Sequence, residues 1–198
     1  MQLINHGVST SLVENVKKGI EEFFNLPNEE KKRFGQKAGE VEGFGQHFVV
    51  SEEQKLEWAD MFFCITSPKE ARKPHLFPKL PLPFRDHLDA YSEQLRKLGL
   101  KIIELMAQAL NIEGNEIREL INDEEIRQTM RMNYYPPCPQ PDKVIGLNAH
   151  SDIGTLTILL QVNEMEGLQI KKDGLWLPVS PLPNAFIINL GNVWEVSN

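Results

Sequence analysis

The stretch Val144 to Gln161, VIGLNAHSDIGTLTILLQ, decides how this chain is read. At its centre stands His150-Ser151-Asp152. In extended backbone, side chains alternate between two faces, so the imidazole and the carboxylate point into one space. They supply two of the three groups in the 2-His-1-carboxylate set that binds non-haem Fe(II) and leaves positions open. The tripeptide alone is weak evidence, because a His and an Asp at a strand end also simply hydrogen-bond. The surroundings add to it. Thr155-Leu156-Thr157 alternates and then runs into Ile158-Leu159-Leu160, the pattern of a strand entering a packed β core. Upstream lie Arg131-Met132-Asn133-Tyr134-Tyr135 and the rigid turn Pro136-Pro137-Cys138-Pro139-Gln140-Pro141.

Outward from this stretch the later chain has strand periodicity. Arg127 to Tyr135, Val144 to Ala149, Thr155 to Gln161, Leu168 to Lys171, Trp176 to Val179 and Ala185 to Leu190 read as strands, with Lys172-Asp173-Gly174 as a hairpin signal. The earlier chain is mostly helical. Ser9 to Phe24 carries Leu12, Val16, Ile20 and Phe23 at helical spacing, and Ser11 with Glu14 fits a capping box. Pro27 to Phe34 reads as a short polar helix. Phe84 to Leu110 is the longest helix, with Leu88, Tyr91, Leu95, Leu98, Ile102, Leu105, Met106 and Ala109 on its apolar stripe. A short helix is expected near Asn115 to Ile121. Between these, Met1 to Val8 and Trp58 to Thr66 read as strands, and the glycines of Gly35 to Val50 mark a loop. That loop is no phosphate cradle, since no Lys-Ser/Thr follows at P-loop spacing. Pro68 to Pro83 is a wrapping connection in which Leu76, Phe77, Leu80 and Leu82 need burial. Helices first and closely spaced strands later predict an α+β fold, a helical layer packed on a β-sandwich or jelly roll.

Composition narrows the function classes. A chain of 198 residues suits one domain with a real core. Its formal net charge of −7, with no basic tail, argues against nucleic acid and anionic membrane surfaces as partners. No apolar run approaches the ~20 residues of a membrane-spanning helix, and no signal segment opens the chain. Cys64 and Cys138 stand far apart and read as free thiols of a reducing compartment, the cytoplasm, although spacing leaves a disulfide open.

Residues 133–161, NYYPPCPQPDKVIGLNAHSDIGTLTILLQ, resemble the core of the plant 2-oxoglutarate- and Fe(II)-dependent dioxygenases. The likeness extends through QLINHGV, SEEQKLEWADMFF, PHLFPKLPLPFRD and GLQIKKDGLWLPVSPLPNAFIINLG, nearly the whole chain. It is greatest to the senescence-related and opiate O-demethylase-like branch, which also holds proteins named norcoclaurine synthases. The resemblance implies an N-terminal helical region over 1–122 and a double-stranded β-helix, a jelly-roll relative, over 123–198. It implies Fe(II) bound by His150 and Asp152, 2-oxoglutarate bound by Asn133 and Tyr135, and ascorbate as reductant. The implied reaction couples decarboxylation of 2-oxoglutarate, with molecular oxygen, to hydroxylation or O-demethylation of a small organic substrate such as an alkaloid or phenolic.

The sequence also departs from the family's pattern. The second His ligand is expected roughly fifty to sixty residues after the Asp, and no His follows Asp152 here. An Arg-x-Ser pair for the far carboxylate of 2-oxoglutarate is not present either, and Gly191-Asn192 stands where Gly-Asp is usual. His6 precedes the motif, while His47, His75 and His87 fall in loops or on the long helix, so none is expected to complete the triad. The expectation is a weakly active or inactive copy truncated at both ends, incomplete at the C-terminus, with open strand edges that invite pairing. The alternative is a non-catalytic ligand-binding or interaction protein derived from the same fold.

Overall fold

The computed structural model describes residues 1–46, 55–112 and 127–194. The described helices are α1 (Thr10–Phe24), α2 (Asn28–Lys32) and α3 (Phe84–Ala109). The described strands are β1 (Gln2–Leu3), β2 (Gly43–Gln46), β3 (Leu56–Glu57), β4 (Asp60–Ser67), β5 (Gln128–Tyr134), β6 (Val144–Ile145), β7 (Leu156–Leu159), β8 (Gln169–Lys172), β9 (Leu175–Pro178) and β10 (Phe186–Leu190). The fold is mixed α+β. It divides into two units: Ser11–Ala149, and Met1–Thr10 joined to His150–Asn198.

The larger unit is built on β4, DMFFCITS, whose Met61, Phe62, Cys64, Ile65 and Thr66 are buried. It is the middle strand of an antiparallel sheet in the order β2-β4-β5, with Phe62 opposite Phe44 on one side and Met132 on the other. Phe62 is wholly buried. The ring of Phe23 from α1 meets Phe62, Phe34 and Phe44 edge-on, with centroids 5.2, 5.6 and 6.3 Å away. Such edge-to-face contacts add to the gain from burying the rings. Gly19 of α1 lies so close to Phe84 of α3 that a Cβ there would overlap the ring. Lys31 is buried, yet its Nζ is satisfied by the carbonyl of Phe24 at 2.9 Å and sits 5.3 Å from the Phe44 centroid. Glu42 is buried too, and its Oε2 accepts the Ile65 N–H at 3.1 Å.

Short parallel pairing of β3 with β6 leads this unit toward its end at Ala149. The indole of Trp58 donates to the Pro136 carbonyl at 3.0 Å, and the Trp58 N–H donates to the Ile145 carbonyl at 2.7 Å. Glu57 Oε1 accepts both the backbone N–H and the side-chain Nδ2 of Asn148, each at 2.8 Å.

In the smaller unit a second antiparallel sheet runs β1-β10-β7. Phe186, Ile187 and Ile188 of β10 are buried. The terminal amine of Met1 donates to the Ile188 carbonyl at 2.9 Å. His6 is structural: its Nδ1 accepts the Val8 N–H at 3.1 Å and its ring lies 4.3 Å from that of Phe186. β8 and β9 form a hairpin with Lys172 opposite Leu175. Asp173 and Gly174 have φ of 51° and 81°, the paired positive values of a type I′ turn.

Several sequence expectations shift. β1 is two residues long rather than spanning Met1 to Val8. α1 starts at Thr10, so Ser11 lies inside the helix rather than before it, and Glu14 pairs with Lys17 at 3.0 Å. Its buried stripe runs through Val13, Val16, Gly19 and Phe23, while Leu12 and Ile20 are only half-buried, because the close approach to Phe84 turns the Gly19 face inward. Gly43 to Gln46, expected as loop, is a strand because β4 offers it a ladder. Leu76, Phe77 and Leu80 are buried as expected, but Leu82 is 61% exposed. Leu105 on the expected stripe of α3 is 51% exposed, and Ile103 and Ala107 are buried instead. The helix near Asn115 to Ile121, His47 and the boundary near residue 122 lie outside the described residues. Among the described residues no helix is long and apolar enough to cross a membrane.

Two outcomes are expected. Phe62→Ala empties the centre of the aromatic cluster and should cost about 3–5 kcal/mol in urea unfolding; a loss below about 1 kcal/mol would contradict the packing described. Cys64 is buried and its thiol is pushed up to about 12 by burial, with the Glu42 charge adding to the rise. Alkylation of the native chain at pH 8 should therefore label Cys138 and spare Cys64 until urea is added.

Candidate metal-binding site

His150-Ser151-Asp152 lies in irregular backbone before β7, outside any strand ladder. The two outer side chains nevertheless meet. His150 Nε2 lies 3.5 Å from Asp152 Oδ1, with both side chains partly exposed. Two donors about 2.1 Å from one metal at a right angle stand roughly 3 Å apart. A small closing movement would thus let both touch one ion. An imidazole nitrogen with a carboxylate oxygen is also the donor chemistry that Fe(II) takes in oxygenases. The pair fits the metal as two of its ligands.

What holds Asp152 was not singled out from the sequence. Its Oδ2 accepts hydrogen bonds from Thr157 Oγ1 at 2.6 Å and Asn189 Nδ2 at 2.7 Å. Thr157 and Asn189 are directly opposite one another in the β7–β10 ladder. The signal available in sequence was an Asn inside the apolar run Phe186-Ile187-Ile188-Asn189-Leu190, where a polar side chain needs a partner. The main chain is held as well: the Asn192 N–H donates to the Asp152 carbonyl at 2.8 Å. A Cβ at Gly191 would overlap the Gly154 carbonyl oxygen and lie 2.7 Å from that of Asp152, so only glycine passes here. Trp194 Nε1 donates to the Thr155 carbonyl at 2.8 Å.

Asn133 and Tyr135 belong to the larger unit. Arg131, Asn133 and Tyr135 alternate along β5 and its exit, and all three are exposed, whereas Met132 between them is buried. Arg131 Nε donates to Asn133 Oδ1 at 3.0 Å. The Tyr135 ring lies along Gly146, where a Cβ would come within 3.4 Å of it. Partial burial raises the Tyr135 hydroxyl above its ordinary value; the Arg131 charge opposes the rise and the Glu57 charge adds to it. The hydroxyl is therefore protonated at neutral pH and able to donate to a carboxylate.

His75 and His87 do not join either set: His75 Nε2 is buried with no hydrogen-bond partner among the described residues, and His87 lies on α3. Among the described residues no group of three or more His, Cys, Asp or Glu side chains is arranged to hold a metal.

Residues 126–198 match the family model of the 2OG-Fe(II) oxygenase superfamily. Residues 1–80 match that of the non-haem dioxygenase in morphine synthesis N-terminal region. The chain is 60% identical to Protein SRG1 of Arabidopsis thaliana over 98% of its own length and 54% of that protein's. It is 52% identical to thebaine 6-O-demethylase of Papaver somniferum, over 98% of this chain and 54% of that one. In structure it resembles the crystal structure of JOX2 in complex with 2OG, Fe and JA, with a TM-score of 0.89 at 34% identity, over 97% of this chain and 57% of that one. The rice dioxygenase for auxin oxidation gives a TM-score of 0.75 at 25% identity, over 98% of this chain and 62% of that one. These neighbours are 2-oxoglutarate oxygenase folds of the jelly-roll type, and the chain spans about half the length of the curated relatives it matches. With both family models matched and long stretches of close identity to these relatives, the chain belongs to the 2OG-Fe(II) oxygenase superfamily.

Proposed function

We propose that this chain carries the Fe(II)- and 2-oxoglutarate-binding residues of a plant oxygenase that hydroxylates or O-demethylates a small organic molecule. The observation that carries the proposal is the convergence of His150 Nε2 and Asp152 Oδ1 at 3.5 Å. His150 and Asp152 would hold Fe(II), and Asn133 and Tyr135 would hold a carboxylate of 2-oxoglutarate. When bound, the metal and its co-substrate supply the oxidising chemistry. The chain's own residues bind and orient. The imidazole offers Nε2 to the ion. The Asp152 carboxylate offers the oxygen that faces His150, while its other oxygen is tied down. The Tyr135 hydroxyl, still protonated, donates to the co-substrate, and the Asn133 amide both donates and accepts.

The substrate class draws support from relatives whose names give it, thebaine 6-O-demethylase of Papaver somniferum and oxoglutarate-dependent flavonoid 7-O-demethylase 1 of Ocimum basilicum. An alkaloid or a phenolic is the proposed class, with molecular oxygen as the oxidant. A reducing compartment, the cytoplasm, is the proposed location, supported by Cys64 and Cys138 both being free thiols.

Anaerobic titration of the purified chain with Fe(II) and 2-oxoglutarate tests the proposal. A weak, saturable visible band should form, and it should vanish in His150→Ala and in Asp152→Ala. No band from folded protein would overturn the proposal and favour a non-catalytic ligand-binding protein. Tyr135→Phe should weaken 2-oxoglutarate binding about tenfold or more, as expected on losing a hydrogen bond to a charged group. Because the Tyr135 hydroxyl titrates above its usual value of 10, this contribution should stay constant from pH 7 to pH 9.

A further inference from the structure

The two donors to Asp152 form a device of their own. Thr157 of β7 and Asn189 of β10 are a cross-strand pair, so their side chains leave the same face of the sheet. Both end on one oxygen, Asp152 Oδ2, at 2.6 and 2.7 Å. An ionised carboxylate only accepts, so the amide group turned toward it must be the NH2 of Asn189. The other oxygen, Oδ1, is the one 3.5 Å from His150 Nε2. A carboxylate with one oxygen held by two donors is disposed to bind a metal through the other oxygen alone. Bidentate binding would need Oδ2 to leave two short hydrogen bonds at once.

We infer that Thr157 and Asn189 are positioning residues that fix the Asp152 carboxylate so that Oδ1 alone is presented beside His150 for single-oxygen metal ligation. This role rests on the metal reading proposed above. Outer partners of this kind typically change metal affinity by about 10–100-fold when removed. Asn189 is exposed, and its change to Leu removes the donor without emptying a core position. Thr157 is half-buried, and its change to Val keeps shape while removing the hydroxyl.

The test measures Mn(II) affinity of the full chain without 2-oxoglutarate, from loss of the free-ion electron paramagnetic resonance signal, beside far-ultraviolet circular dichroism and melting temperature. Thr157→Val and Asn189→Leu should each weaken Mn(II) binding about tenfold or more. Thr157→Ser, which restores the hydroxyl, should bind within about threefold of the unaltered chain. A merely structural role would lower the melting temperature of the Val and Ser variants together and leave affinity unmoved in the folded fraction. Should Thr157→Val and Asn189→Leu bind Mn(II) like the unaltered chain while His150→Ala abolishes binding, the positioning role is overturned and the metal reading survives. Should Thr157→Ser lose as much as Thr157→Val, the hydroxyl is not the determinant and the role of Thr157 falls. Should the unaltered chain bind no Mn(II), the metal reading falls and the positioning role falls with it. If Thr157→Val fails to fold, Asn189→Leu alone decides.

Discussion

Antiparallel pairing of β7 with β10 in one register is the constraint on which the smaller unit depends. That register sets Thr157 opposite Asn189. A slip of one residue would carry one of these side chains to the other face of the sheet, and the shared grip on Asp152 would be lost. The same ladder is anchored from the far end of the chain, where β1 pairs with β10 and the Met1 amine reaches the Ile188 carbonyl. At its exit Gly191 lets the backbone pass against Asp152 and Gly154, and the Asn192 N–H closes onto the Asp152 carbonyl. The side chain of Asp152 is thus held from β7 and β10, and its main chain from the exit of β10.

The larger unit obeys a different economy. One side of β5 is committed to the core, because Met132 faces Phe62 across the ladder and both are buried. Alternation then leaves Arg131 and Asn133, and Tyr135 beyond them, on the open face. Arg131 and Asn133 are exposed there because Met132 between them is needed inside. Three charged groups drawn into this unit are bonded there: Lys31 on the Phe24 carbonyl, Glu42 on the Ile65 N–H, and Arg72 on the Thr66 carbonyl and Asp89. Buried charge is tolerated where such bonds replace water.

Much of this was legible in the chain itself. Alternation located β5 and β7, the Asp173-Gly174 turn located the hairpin, and the spacing of His150 and Asp152 placed both side chains in one space although the tripeptide belongs to no ladder. Other features were hidden for physical reasons. The buried face of α1 is not centred on its apolar stripe, because Gly19 carries no hydrophobic signal yet serves as the contact point for Phe84. β2 carries no strand signal of its own, because glycines have no strand preference and its ladder is supplied by β4, more than a dozen residues on. The meeting of Thr157 with Asn189 is set by register between strands far apart in sequence, which no local pattern reports. Asn133 and Tyr135 stood out through family likeness; their alternation alone describes any strand with one polar face.

The most direct test of this account is anomalous diffraction from crystals of the chain grown with Mn(II). The account predicts one Mn(II) ion bound by His150 Nε2 and a single Asp152 oxygen, with Thr157 and Asn189 still on the other oxygen. An ion bound through both Asp152 oxygens, or one placed away from His150, would contradict it.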